Sequence, residues 1–469
     1  MIGRIKEVEV LLKARASDQS EFVALYGRRR VGKTFLVSEV FNGKFSFHHA
    51  GLENASKAEQ LTSFREALRR YGHVKCPRLT TWISAFSELE LLLEGLPEGK
   101  KIVFLDELPW FDTRKSGFLT AFESFWNGWA SIRKDILLII CGSATTWIIN
   151  KVFRSRGGLH NRVTKRLPIA PFTLKECEEY AAYKRLGFNR EQIAECYMAF
   201  GGVAYYWSLL QEGQSAAQNF DRLFFGADDE LRGEYDRLFS SLFKSPTRHL
   251  KIVELINERK DGVSREEIVA KFPAGAGGEI TRCLDELCGC GFLKRYALPG
   301  KAKKGAIYQL IDPYILFYFE YLKNRKGTDP HYWTISYASP RTNSWRGRAF
   351  EKLCLWHVPQ IKAALGISGI LTDEYCWRGV SDTGKKVQID LILDRGDRMT
   401  DICEMKFSNT PYVVTEEEWR KFQDRIETYR QCTKTNKGLS VVLVTANGVK
   451  PNAYCGSINS VVTLENLFQ

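Results

Sequence analysis

At 469 residues the chain is about three times the usual length of one domain, so two to four separately packed units are expected. Hydrophobic residues make up 44% and charged residues 26%, which excludes a largely disordered chain and supplies apolar side chains for several cores. The 68 Lys and Arg against 55 Asp and Glu leave a charge of +13, a balance that suits a polyanionic partner but that solvated lysine faces also produce.

In chain order, the first third alternates short apolar runs with helical stretches: Phe22 to Tyr26, Phe45 to His49, Ile102 to Leu105, Leu137 to Cys141 and Leu167 to Ile169. Strands spaced by helices predict an α/β fold with a parallel sheet and crossovers. From Leu174 to about Leu238 helical periodicity takes over, broken internally at Gly201-Gly202. Between Thr247 and about Leu310 come three helix-length segments and then Phe292 to Ala297 and Ala306 to Ile311 around the basic loop 299–305, the pattern of a winged helix. An aromatic helix, Pro313 to Lys323, runs into the turn-rich segment 326–344, the clearest candidate linker, and a last domain begins near Trp345.

No apolar run approaches the roughly 20 residues that a membrane span needs. The longest, Ile136 to Cys141, has the length of a buried strand, and no membrane partner is expected. The 12 cysteines form no repeating ladder, and Met1-Ile2-Gly3-Arg4 opens a charged amphipathic stretch instead of an apolar signal, which points to reduced cytoplasm. Cys283, Cys288 and Cys290 match no structural zinc spacing and have no histidine near them in the chain, so they read as buried helix cysteines.

The chemistry begins at Gly27-Arg28-Arg29-Arg30-Val31-Gly32-Lys33-Thr34, a complete GxxxxGK[ST] loop set after an apolar strand and before the helical pattern Phe35 to Phe41. Its glycines let backbone amides close on the phosphates of ATP, Lys33 reaches the β and γ phosphates, and Thr34 ligates Mg2+. Ile102-Val103-Phe104-Leu105-Asp106-Glu107 is an apolar strand ending in two carboxylates, Asp106 for the metal and Glu107 for the attacking water. The strand Leu137 to Gly142 ends at Ser143, which either senses the γ phosphate or simply caps a turn.

These residues, together with Asp106-Glu107-Leu108-Pro109-Trp110, Cys141-Gly142-Ser143, Gly201-Gly202-Val203 and Tyr308-Gln309-Leu310-Ile311-Asp312-Pro313-Tyr314, resemble the archaeal-type AAA ATPases of the AAA+ and STAND P-loop group over nearly the whole chain. The resemblance implies that Arg162 serves as an arginine finger or nucleotide sensor. Asn161 stands where relatives have glycine, and Arg154, Arg156 and Arg166 are nearby rivals. Relatives usually carry proline after Gly-Gly-Val, where this chain has Ala204.

In the segment read as a winged helix, Gly277 to Cys290 would be the recognition helix, yet it presents Glu279, Asp285 and Glu286 beside only Arg282, which is poor for phosphate contact. The wing is better: Lys294, Arg295, Lys301, Lys303 and Lys304 lie close together with no acid among them, leaving both DNA and protein open as partners. The last domain carries Glu351 in a helical stretch, Asp390 in Val387 to Leu393, and Glu404-Met405-Lys406, in the order helix, strands 370–377, 387–394 and 401–406, helix 416–432 and strand 439–445. This resembles the PD-(D/E)XK nucleases, with Ile389 in place of the family's proline. Alternation puts Gln388 and Asp390 on one face and points Met405 inward, so that Glu404 and Lys406 face the site. Asp390 and Glu404 would hold Mg2+ or Mn2+, Lys406 would orient water, and Glu351 would complete the metal shell. Arg341, Arg346, Arg348 and Lys352 flank Glu351 and suit a polyanion.

The sequence therefore predicts a P-loop ATPase domain (1–172), a helical lid (173–240), a winged helix (241–325), a linker (326–344) and an α/β restriction-endonuclease-like domain (345–469). ATP state would control binding or cleavage of DNA, with RNA, a protein partner or a second copy of the chain left open. The alternative is a non-cleaving STAND-like regulatory switch whose last domain only binds DNA or a partner.

Overall fold

The computed structural model describes residues 2–154, 157–226, 230–243, 245–259, 262–296, 305–327 and 329–469. They form two compact units, Met1–Pro171 with Ser241–Lys244, and Phe172–Ser240 with Ser245–Gln469.

The first unit is built on a sheet of β1 (Glu21–Tyr26), β2 (Phe47–Ala50), β3 (Lys101–Asp106), β4 (Ile136–Gly142) and β5 (Lys165–Pro168), in the order β2-β3-β4-β1-β5. Every pairing is parallel, as the alternation of strands and helices predicts. β3 and β4 are buried at each position, because helices cover both faces and an apolar run without alternation suits only such a place. The face packed by helices Lys57–Arg70, Trp82–Glu94 and Phe118–Gly128 is dense in aromatics, among them Phe64, Trp82, Phe86 and Phe118. The second strand starts at Phe47 and not at Phe45, whose ring leaves the edge to pack on Phe41 and Phe104.

In the second unit, helices Leu174–Tyr183, Arg190–Phe200 and Ala204–Ser208 come first. The predicted break is real: the second helix stops at Gly201, φ 66°. Ala204 is the first residue of the third helix, a position where proline is also tolerated because its missing N–H has no partner to lose. Helices Thr247–Asn257, Arg265–Val269 and Gly277–Gly289 follow, with an antiparallel sheet of β6 (Val263–Ser264), β7 (Leu293–Tyr296) and β8 (Ile307–Leu310) in the order β6-β8-β7.

Segment 326–344 departs from the linker reading. It contains helix Tyr332–Ser336 and the first turn of helix Pro340–Trp356, and Trp333 is fully buried against Phe220, Phe317, Tyr321 and Trp345. The buried Asp221 carboxylate accepts from Trp333 N at 2.7 Å and Thr334 N at 3.2 Å, fixing the short helix at its start. The turn residues that suggested looseness mark corners between packed helices.

A second sheet closes the unit: β9 (Thr372–Val380), β10 (Lys386–Arg395), β11 (Met399–Lys406), β12 (Gly438–Thr445) and β13 (Ser460–Thr463), in the order β13-β12-β11-β10-β9. β9, β10 and β11 are antiparallel neighbours and β11, β12 and β13 parallel ones, with helix Glu416–Thr433 crossing between β11 and β12. β7 is seated on this sheet, since Tyr296 shares one buried cluster with Tyr375, Trp377, Ile389 and Tyr429.

Candidate functional site

The ends of β1, β3 and β4 converge on the Gly27–Thr34 loop. Gly27 has φ +145° and a Cβ there would stand 2.3 Å from the Ile169 carbonyl oxygen, so the loop leaves β1 by a route that only glycine takes. Gly32, φ 90°, then turns the chain into helix Lys33–Val40. Lys33 is buried, and its ammonium donates to the carbonyls of Gly27 at 3.0 Å and Arg28 at 2.8 Å, which stands it across the mouth of the loop. Arg28 and Val31 are buried, while Arg29 and Arg30 are half-buried, Arg30 in the left-handed region at φ 67°.

Thr34 Oγ1 donates to Asp106 Oδ2 at 2.8 Å, joining the loop to the end of β3. The other Asp106 oxygen accepts from Glu107 N at 2.8 Å and from the Cys141 thiol. Burial, with Asp106 and Glu107 adding to it, pushes that thiol far above its usual range, so it stays a donor. Glu107 sits at φ 45°, a strained conformation for a non-glycine residue of the kind that collects at functional sites. Its Oε2 accepts from both the amide and the hydroxyl of Ser143, each at 3.0 Å. Ser143 thus meets the second carboxylate directly. Cys141 is the residue that the sequence reading missed, although it lies in one of the quoted motifs.

The arginine assignment gains less. Arg162 is exposed on a turn, its amide bonded to Leu159 O at 3.1 Å; Arg154 is exposed, Arg166 lies 4.6 Å from the Phe153 ring centroid, and Arg156 falls outside the described residues. Asn161 has φ 56°, in the left-handed region, which asparagine tolerates best among the larger residues.

On the C-terminal sheet, the register between β9 and β10 shifts between Ile389 and Ile392, a bulge that interrupts the alternation expected along β10. Val387, Ile389 and Leu391 are buried and Gln388 and Asp390 half-buried, but Ile392 and Leu393 are both buried. Gln388 Nε2 donates to Asp390 Oδ1 at 2.8 Å. Glu351, on helix Pro340–Trp356, has its carboxyl pushed up to about 7, first by burial and then by the charge of Asp390, with Glu404 adding and Lys352 and Lys406 opposing. Met405 is buried, yet so is Glu404, whose oxygens pair with Lys406 at 2.9 Å and Arg425 at 2.7 Å. Arg425 was not foreseen; its one sequence signal is its place on the helix that follows the Glu-Met-Lys strand.

Among the described residues, the His/Cys/Asp/Glu groups whose candidate ligand atoms all lie within 4.8 Å of one another are His73, Cys76, Glu88 and His249, Cys283, Glu286, so Glu351, Asp390 and Glu404 do not form such a group. The fold brings His249 to Cys283 from another helix, where chain position showed no histidine. A His249–Glu286 hydrogen bond of 2.7 Å accounts for the closeness of two of the three.

Several basic residues turn out to be engaged. Arg346 is buried and pairs with Glu195 at 2.7 Å, so it does not face a polyanion. Arg348 pairs with Glu320 at 2.7 Å, and Arg341 with Glu320 at 3.7 Å. In the strand read as the start of the wing, Lys294 lies 3.6 Å from Glu374 and Arg295 3.6 Å from Asp285, which removes two of the five charges counted there. Lys301, Lys303 and Lys304 lie outside the described residues.

No family model matches the chain. An uncharacterized protein of Methanocaldococcus jannaschii is 25% identical over 361 residues, 75% of this chain and 76% of that protein. Among solved structures, a Walker-type ATPase of Pyrococcus abyssi is similar with a TM-score of 0.49 at 16% identity, covering 67% of this chain and 95% of that one. The ORC2 protein of Aeropyrum pernix, solved as ADPNP and ADP complexes, has a TM-score of 0.42 at 13% identity over 67% of this chain and 92% of its own. These likenesses are distant, and the assignment of the loop rests on its own geometry. No helix of the described residues is long and apolar enough to cross a membrane.

Proposed function

We propose that the chain is an ATP-hydrolysing protein of AAA+ type whose nucleotide state controls a winged helix and a PD-(D/E)XK nuclease domain acting on DNA. The observation that carries the ATPase reading is the convergence of Lys33, Thr34, Asp106, Glu107 and Ser143 at three strand ends. The hard oxygen donors Thr34 and Asp106, already 2.8 Å apart, fit Mg2+, which when bound neutralises charge on the phosphates. Lys33 exchanges the loop carbonyls for phosphate oxygens. Glu107 leaves Ser143 and accepts a proton from the attacking water, and Ser143, released, is free to meet the γ phosphate. Arg162 is proposed to complete the site as its finger or sensor.

For the last domain, the helix, three antiparallel strands, helix and strand order supports the nuclease reading, as does the gathering of Glu351, from helix Pro340–Trp356, with Asp390, Glu404 and Lys406 of the sheet. Asp390 and Glu404, with Glu351, are the residues that would hold Mg2+ or Mn2+, whose chemistry is to polarise the scissile phosphate. Lys406 orients water and Arg425 stabilises the developing charge.

The test is cleavage of single- and double-stranded DNA and RNA in Mg2+ or Mn2+, with and without ATP. Asp390→Ala is expected to remove cleavage and spare ATP hydrolysis. One observation favours the non-cleaving switch as a second reading: both Glu404 oxygens are held by cationic side chains. No cleavage of any substrate under these conditions selects that switch.

A further inference from the structure

A cavity of about 580 Å³ opens over the acid cluster, and it lies wholly within the second unit. Glu351, Lys352 and Asp390 line it together with Arg425, Arg348 and Arg259, the last contributed by the residues that follow helix Thr247–Asn257. Half-buried Phe319 adds aromatic surface, while Trp345 at the lining is 3% exposed.

The three-helix segment that forms one side of this cavity is held on β9 by a packed seam. Tyr296 of β7 is buried with Tyr375, Cys376 and Trp377 of β9. Arg378 donates to the Gly262 carbonyl at 2.6 Å, and Lys294 pairs with Glu374 at 3.6 Å. A buried tyrosine packed in an aromatic cluster and flanked by a half-buried ion pair does not slide freely, so the three-helix segment is a standing wall of the cavity.

Size and chemistry then select the occupant. Cavities of about 300 to 1,000 Å³ hold ligands the size of one or two nucleotides, whereas a duplex is a rod about 20 Å across with its bases inside. Cationic side chains beside aromatic faces are the combination that binds single strands, by phosphate attraction and base stacking. The exposed pair Arg259–Glu267, 2.6 Å, is worth little in water and exchanges readily for phosphate, and the half-buried pair Arg348–Glu320, 2.7 Å, keeps a second guanidinium at the cavity wall.

We infer that this cavity binds single-stranded nucleic acid, one or two nucleotides deep, with Arg259, Arg348 and Lys352 holding the backbone. The inference rests on the nuclease reading only for the fate of the strand, because binding needs no cleavage.

The experiment measures fluorescence anisotropy of labelled single-stranded DNA, single-stranded RNA and a DNA duplex of equal length on the full chain in EDTA, across a salt series. Either single strand is expected to bind at least about tenfold tighter than the duplex. Arg259→Glu should weaken that binding about tenfold and flatten the salt dependence by about one unit, with Arg259→Lys near the wild type. A duplex bound as tightly as both single strands, or single-strand binding indifferent to Arg259→Glu, overturns the inference. Arg259-dependent single-strand binding without cleavage in any metal supports it while the nuclease reading fails. Cleavage of duplex alone without single-strand preference does the reverse.

Discussion

His357 joins the first helix of the second unit to the helix that carries Glu351, and the joint is acid-sensitive. Its ring is 1% exposed; Nε2 accepts from Leu174 N at 3.0 Å, and Nδ1 donates to Leu353 O at 2.8 Å. The bond from Leu174 requires Nε2 unprotonated and so a neutral ring, and burial lowers the imidazole to about 4, with the Leu353 carbonyl, which keeps its bond to Nδ1–H in either form, opposing. A folded-state value below the unfolded 6.5 means that the stabilisation is present above pH 6.5 and is lost as pH falls towards 4. Between pH 7 and pH 5 the linked loss is about 2 kcal/mol, since the unfolded ring takes up a proton and the folded one does not. His357→Gln keeps a donor and an acceptor without a group that titrates. Urea unfolding followed by tryptophan fluorescence at pH 7 and pH 5 should show the wild type losing about 2 kcal/mol more than the variant. Equal losses in the two proteins would refute the assignment of a neutral, buried His357 as the joint.

Lys33→Ala is expected to abolish ATP binding in a filter or calorimetric assay, whereas Glu107→Gln should bind ATP normally and lose turnover at least about a hundredfold, because only the base is removed. Ser143→Ala should lower turnover about tenfold with ATP affinity little changed, since Glu107 then keeps the Ser143 amide as its only donor of the two; an unaltered kcat rejects the role. Glu195→Ala should destabilise the second unit by about 3 to 5 kcal/mol by leaving Arg346 buried and unpaired. Glu195→Met with Arg346→Met should recover most of that loss, and a double variant no better than the single one would show that the pair is not the cause.

Much of the first unit was legible because its signals are local. The parallel sheet follows from apolar runs too continuous to alternate, and the loop glycines from conformations that one residue type supplies. The pairing of Thr34 with Asp106 was implied by motif order. What no local pattern carried was the contact of Ser143 with Glu107 and the thiol bond from Cys141, because both depend on strands β3 and β4 lying side by side. On the C-terminal sheet the order of elements was readable, but the bulge at Asp390 was not, since a shift of register leaves no mark in a run such as Val387 to Leu393.

The basic residues misled for a related reason. A count of charges near Glu351 or in the wing assumes that each faces solvent, yet Arg346 and Lys294 are spent on Glu195 and Glu374, partners 151 and 80 residues away. Long-range contacts of the same kind, Asp221 with Trp333 and Thr334, make segment 326–344 a corner of the core, and Lys294–Glu374 helps to seat β7 on β9. That seating has a mechanical consequence for the proposed switch: a nucleotide-dependent signal reaching the three-helix segment would move β9 and the cleft over Glu351 with it, since Tyr296 and Trp377 lie in one buried cluster. Control of the acid site would then act through movement of that cleft as one body and not through release of a tethered domain.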